Sequence, residues 1–198
     1  MRRLARYALA QQPTKQVLFT MLEKYFWAQP IVALVARQLL TLNLESSELE
    51  RILECNIDDR GINSKVLKRL VDIHGTLAQV PTAALWIAVE RIPVFREQAW
   101  SVLSATALDR LKVVQLIKHV PAIAETAGMY LFKNKPTIKE LIFLATILPA
   151  MKQSIWDSFR EQAVTPDVLR KFSNLLRDFN CKICTSYRNY FDRLCQSY

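Results

Sequence analysis

A twelve-residue pattern written three times limits what this chain can become. It stands as TPDVLRKFSNLL from Thr165, TIKELIFLATIL from Thr137 and TALDRLKVVQLI from Thr106. Each copy begins with Thr and passes through a polar or charged turn. Apolar residues then fall near offsets four to five, seven to eight and ten to eleven, which is one face of a helix. The copies start 31 and 28 residues apart, so each leaves room for one further helix before the next begins. The pattern therefore predicts stacked helical hairpins.

The rest of the composition agrees. Only three glycines occur, and no NG, DG or GG pair is present to turn a β-hairpin. Alanine, leucine, glutamine, lysine and arginine, which lose least on entering a helix, dominate. With 51% hydrophobic residues in 198, the chain can bury a sizeable core. The fold class expected is all-α: antiparallel helical hairpins stacked as a short α-solenoid or an irregular helical bundle. Residues 1–13 read as a basic amino-terminal arm or a retained targeting-like segment, and residues 14–198 as a single helical domain.

Element by element, helices are expected at 15–27 and over IVALVARQLLTL, with Pro30 at the start of the second. Ser46 or Ser47 should cap the next, with Glu50 completing a capping box. Asn63 or Ser64 should cap a fourth that stops at Gly75. Pro81 and Pro93 open two more. The three Thr-led copies follow at 106–119, 137–148 and 165–179, with partner helices at 122–132, 151–162 and 181–194. Prolines 121, 136, 149 and 166 fall at helix boundaries, where a missing N–H matters least. No apolar run is long enough to cross a bilayer.

Charge is concentrated at the two ends. Residues 1–22 carry Arg2, Arg3, Arg6 and Lys15 and no acid; residues 23–105 hold nine basic and ten acidic side chains; residues 106–198 hold fourteen and eight. The formal charge of +9 thus points both ends toward an anionic partner, nucleic acid or an acidic surface. The acid-free start, MRRLARYALAQQPTKQVLF, resembles a mitochondrial transit peptide. Four cysteines without a secretory signal imply a reducing or organellar interior rather than a disulfide scaffold.

Chemical motifs are few. Cys181 and Cys184 have C-x-x-C spacing, but no second pair and no H-x-x-x-H accompany them. With Cys195 they share a helical face suited to core packing, and no metal or other cofactor is expected. His74 and His119 are expected at helix ends, where a polar ring meets the last carbonyls. There is no phosphate loop, G-x-S-x-G or H-E-x-x-H, so no enzyme and no small-molecule substrate is expected. RNA or acidic-partner contact is assigned to two clusters. One is Lys133, Lys135 and Lys139 between adjacent hairpins. The other is Arg170, Lys171, Arg177, Lys182, Arg188 and Arg193, interleaved with Tyr187, Tyr190 and Tyr198, whose rings can stack on unpaired bases. Trp27, Trp86, Trp100 and Trp156 are all expected on helices, with Trp156, on a comparatively polar helix, the candidate protein-interface residue.

The Thr-capped helix followed by a second helix resembles the degenerate helical-hairpin repeats of organellar RNA proteins, the octotricopeptide and pentatricopeptide-like families, over residues 106–198. The tetratricopeptide W-x-x-L-G-x-x-Y pattern is missing, and no base-reading code residues are carried over. The resemblance and the basic ends imply a non-catalytic structural subunit of a large mitochondrial assembly, the ribosome foremost, surrounded by other protein subunits and touching rRNA or other RNA. An accessory subunit of a respiratory or ATP synthase complex, and a freestanding RNA-binding repeat protein, are the alternatives.

Overall fold

The structure, a computed structural model, describes residues 9–160, the side chains of Pro149, Lys152, Trp156, Phe159 and Arg160 excepted. Ten α-helices lie wholly within that span and no strand occurs there. They are α1 (Lys15–Lys24), α2 (Gln29–Leu39), α3 (Ser46–Glu54), α4 (Arg60–His74), α5 (Thr82–Arg91), α6 (Arg96–Ser104), α7 (Arg110–His119), α8 (Ala124–Lys133), α9 (Ile138–Ile147) and α10 (Lys152–Arg160). Each odd-numbered helix packs on the even-numbered one after it, across a short connection, so the described residues form a series of antiparallel helical hairpins. The all-α expectation holds.

The hairpins fall into two compact units, one ending at Leu108 and the other starting at Asp109. In the first, α1 to α6 form three hairpins around Leu18, Leu22, Val35, Leu39, Leu49, Ile52, Leu67, Leu70 and Val89, all buried. Within it α3 meets α5 and α2 meets α4, so first helices pack on first helices and second on second. The second unit, over its described residues, closes on Val113, Leu116, Ile117, Leu131, Leu141, Leu144 and Ile155. Each buried Leu or Ile contributes roughly 1.5 to 3 kcal/mol of transfer free energy.

Capping chemistry corrects the register of the repeat. Thr137 caps α9 as expected: its hydroxyl accepts the Glu140 N–H, and the Glu140 carboxylate accepts the Thr137 N–H. Thr106 does not cap. Its hydroxyl donates to the Leu103 carbonyl at 2.8 Å and closes α6, while Asp109 caps α7 by accepting the Leu111 N–H at 2.9 Å. The cap residues Pro81, Asp109 and Thr137 therefore stand at a constant interval of 28 residues, not 31 and then 28. The register continues residue by residue. Ile92, Val120 and Leu148 end the first helices with ψ of 86°, 80° and 76°, and Pro93, Pro121 and Pro149 follow. Ala99, Ala127 and Ile155 are then buried in the second helices. The repeat reaches back to residue 81, outside the 106–198 span read from sequence. The copy at Thr165 lies outside the described residues.

Two other caps also moved. The α3 cap is Glu45, whose N–H is taken by the Glu48 carboxylate at 2.9 Å, not Ser46 or Ser47. That of α4 is Asp59, whose Oδ1 accepts from Gly61 and Ile62, so the polar turn is shorter than expected. Asn63 lies inside the helix, buried, with its Nδ2 donating to the Ile57 carbonyl. At α4 the upstream Asp59 carboxylate takes the free N–H groups, and at α3 the Glu48 carboxylate takes the N–H of the cap residue itself; a charged acceptor at a helix start also gains from the helix dipole. Gly75 ends α4 at φ 83°, as the sequence predicts. Trp27 lies in the turn after α1, not on a helix, and is 59% exposed beside Phe26 at 61%.

Candidate functional site: a lysine edge held by an arginine clamp

The connection from α8 to α9 is four residues, Asn134, Lys135, Pro136 and the cap Thr137. Without help it would be a loose joint, because Lys135 sits at φ 54°, a left-handed conformation that costs a non-glycine residue roughly 1 to 2 kcal/mol. Arg110, the first residue of α7, holds it. Its guanidinium donates to the carbonyls of Asn134 at 2.7 Å and Lys135 at 3.3 Å. The same fork takes both oxygens of Glu140, Nε to Oε1 at 2.9 Å and Nη2 to Oε2 at 2.6 Å. Glu140 in turn accepts from the Thr137 amide and hydroxyl at 2.7 and 2.8 Å. One arginine thus joins the start of one hairpin, the connection after it and the cap of the next.

The electrostatics follow from that geometry. The Arg110 hydrogen bond, foremost, and the Thr137 donors hold the Glu140 carboxyl down at about 2 against the opposing effect of its burial. Glu140 pushes the Arg110 guanidinium further up. The pair is neutral as a unit, with Glu140 13% and Arg110 36% exposed.

Around this clamp stand three of the residues assigned from sequence. Lys133 ends α8, Lys135 is in the connection and Lys139 is in the first turn of α9, all exposed. They stand within seven residues across the connection from α8 to α9, and no ion pair engages them among the described residues. Three ammonium groups on a backbone fixed from beneath can neutralise phosphates without first ordering a loop. Arg170, Lys171, Arg177, Lys182, Arg188 and Arg193 lie outside the described residues, as do Cys181, Cys184, Cys195 and the side chain of Trp156. The two histidines do end helices. His119 reaches Gln115 at 3.2 Å, and His74 Nε2 lies 2.7 Å from the Ser46 hydroxyl, joining the two ends of the second hairpin.

Sequence reasoning missed a second basic surface, in the first unit. A groove of about 810 Å³ runs between α2 and α4. Lys65, Lys68 and Arg69 line it from α4 and Arg37 from α2, with Leu40 and Ile62 beneath. The signal was present as basic residues three and four apart in SKVLKRLVD. It was hidden by averaging charge over residues 23–105, where acids on other faces cancel it.

No protein-family model, curated protein or solved structure matches the chain.

Proposed function

We propose that the chain is a non-catalytic α-helical subunit of a large mitochondrial assembly, foremost the mitochondrial ribosome, and that it meets RNA through its lysine edge. The observation that carries this reading is Lys135. Its backbone is held in a costly conformation by an arginine whose four hydrogen bonds serve the connection and the next helix cap, and Lys133 and Lys139 flank it, all three exposed. The acid-free, arginine-rich start supports the compartment. The adjacent exposed rings of Phe26 and Trp27 support burial against neighbouring proteins, since large rigid side chains of this kind anchor interfaces. Among the described residues no helix is long and apolar enough to cross a membrane.

The test is filter binding of the full chain to a structured RNA between about 50 and 200 mM salt. Binding through phosphates loses affinity steeply over that range, by roughly tenfold for every two to three contacts. Replacing Lys133, Lys135 and Lys139 by Gln should flatten the response. Salt-insensitive or absent binding would overturn the RNA part of the reading. The exposed aromatic pair equally suits an accessory subunit of a respiratory or ATP synthase complex, and that alternative gains if the chain ignores RNA but captures such a complex.

A further inference from the structure

We infer that the groove between α2 and α4 is a second RNA contact, one that grips the phosphate backbone of a duplex rather than its bases. The inference rests on the RNA reading above and assigns a site to the half of the chain that looks neutral in sequence. Lys65, Lys68 and Arg69 occupy positions i, i+3 and i+4 of α4, hence one face. Arg37 faces the same groove from α2. Cations so spaced repel one another in the free protein. Two carboxylates line the same groove, Asp59, which caps α4 and pairs with Arg37 at 2.7 Å, and Asp72, four residues after Lys68, so the four cations outnumber the acids by two. Lys65 and Lys68 are exposed, and no ion pair or hydrogen bond among the described residues engages them. Arg69 spends one nitrogen on the Leu42 carbonyl at 3.2 Å, which fixes the guanidinium at the groove wall. The apolar floor of Leu40 and Ile62 keeps the local dielectric low and strengthens attraction to an incoming anion.

The lining also says which kind of polyanion fits. It contains no aromatic ring, so it offers no platform for stacking the bases of a single strand. Thr41, exposed at the groove edge, donates its hydroxyl to the Gln38 carbonyl at 2.7 Å, which leaves the oxygen to accept from a 2′-hydroxyl. Backbone, sugar and shape are what proteins read on double-stranded RNA.

The experiment uses the full chain, a labelled RNA duplex of about 16 base pairs, a single strand of the same length, and vesicles containing phosphatidylserine. Lys65→Gln/Lys68→Gln is compared with wild type and with the Lys133/Lys135/Lys139→Gln variant, with circular dichroism checking that each retains its helices. The groove variant should lose about tenfold in duplex affinity at low salt, and its slope of log affinity against log salt should fall by about one unit for each lysine removed. Its single-strand binding should change less. If the groove variant binds duplex as wild type does while the lysine-edge variant weakens, the groove inference fails and the RNA reading stands. If wild type binds neither RNA, both fail. A loss confined to the vesicles would make the groove a lipid contact and overturn the inference.

Discussion

The two units tie successive hairpins together at the same place with different cations. In the first, Lys15 opens α1 and reaches Glu48 at 2.7 Å; in the second, Arg110 opens α7 and reaches Glu140. Each cation directly follows its helix cap, and each carboxylate lies three residues after the cap of the next first helix, where it also binds that cap's N–H. The difference is in what else the cation does. Lysine is a point charge and stops at the carboxylate. Arginine is a planar fork, so Arg110 takes the carboxylate and two carbonyls of the connection at once. In the first unit that last task passes to Arg69, whose guanidinium holds the Leu42 carbonyl in the connection from α2 to α3. A single residue fixes the connection beside the lysine edge, whereas two separate contacts fix its counterpart.

The comparison breaks first at Glu140. Glu140→Ala removes the clamp acceptor and half a capping box and leaves the Arg110 guanidinium with carbonyls alone. We expect a loss of about 3 kcal/mol in chemical denaturation, combining a cap near 1 with a partly buried charge pair. A loss below about 1 kcal/mol would mean the carboxylate is dispensable.

Acid should reach the same pair. Because the folded Glu140 carboxyl lies near 2 and its ordinary value is 4.5, its contribution is present above about pH 4.5 and disappears as pH falls toward 2. The shift corresponds to roughly 3 kcal/mol if all of it is realised. Wild-type stability measured from pH 5 to 2 should fall more steeply than that of Glu140→Gln, which has no carboxyl to titrate; parallel curves would contradict the assignment. Glu48 is also held low, by its bond to Lys15 foremost, and shifts in the same direction.

Smaller changes sharpen the distinction between the cations. Arg110→Lys keeps the charge but gives up the fork, and should cost about 1 to 2 kcal/mol. Amide exchange at Asn134 and Lys135 should rise with it, and unchanged exchange would show that the carbonyl bonds do not hold that backbone. Lys15→Ala should cost least, about 0.2 to 1 kcal/mol, because Lys15 is 41% exposed and solvent screens the pair. A larger loss than that of Arg110→Lys would reverse the ranking.

How much of this could be read from sequence depends on distance along the chain. Prolines, the face of each helix and the Thr137 cap are local signals within a few residues, and they were legible. The Asp109 and Asp59 caps were local too, but each competed with a nearby Thr, Ser or Asn, and only geometry says which oxygen reaches the free amides. The clamp and the groove join residues far apart. Arg110 and Glu140 are 30 residues apart, and Arg37 and Asp59 are 22 apart, so neither pairing has a sequence signature. Lys133, Lys135 and Lys139 were legible as a cluster because the connection between their helices is short. That Arg110 fixes the ground they stand on was not.

We have proposed that this hairpin scaffold is an RNA-facing subunit of a mitochondrial assembly. The most direct test is sedimentation of the native protein from mitochondrial extract, with and without ribonuclease. Migration with a large ribosomal-RNA-containing particle, and release from it on ribonuclease treatment, is expected. Migration with a detergent-extracted respiratory or ATP synthase complex, unchanged by ribonuclease, would contradict it.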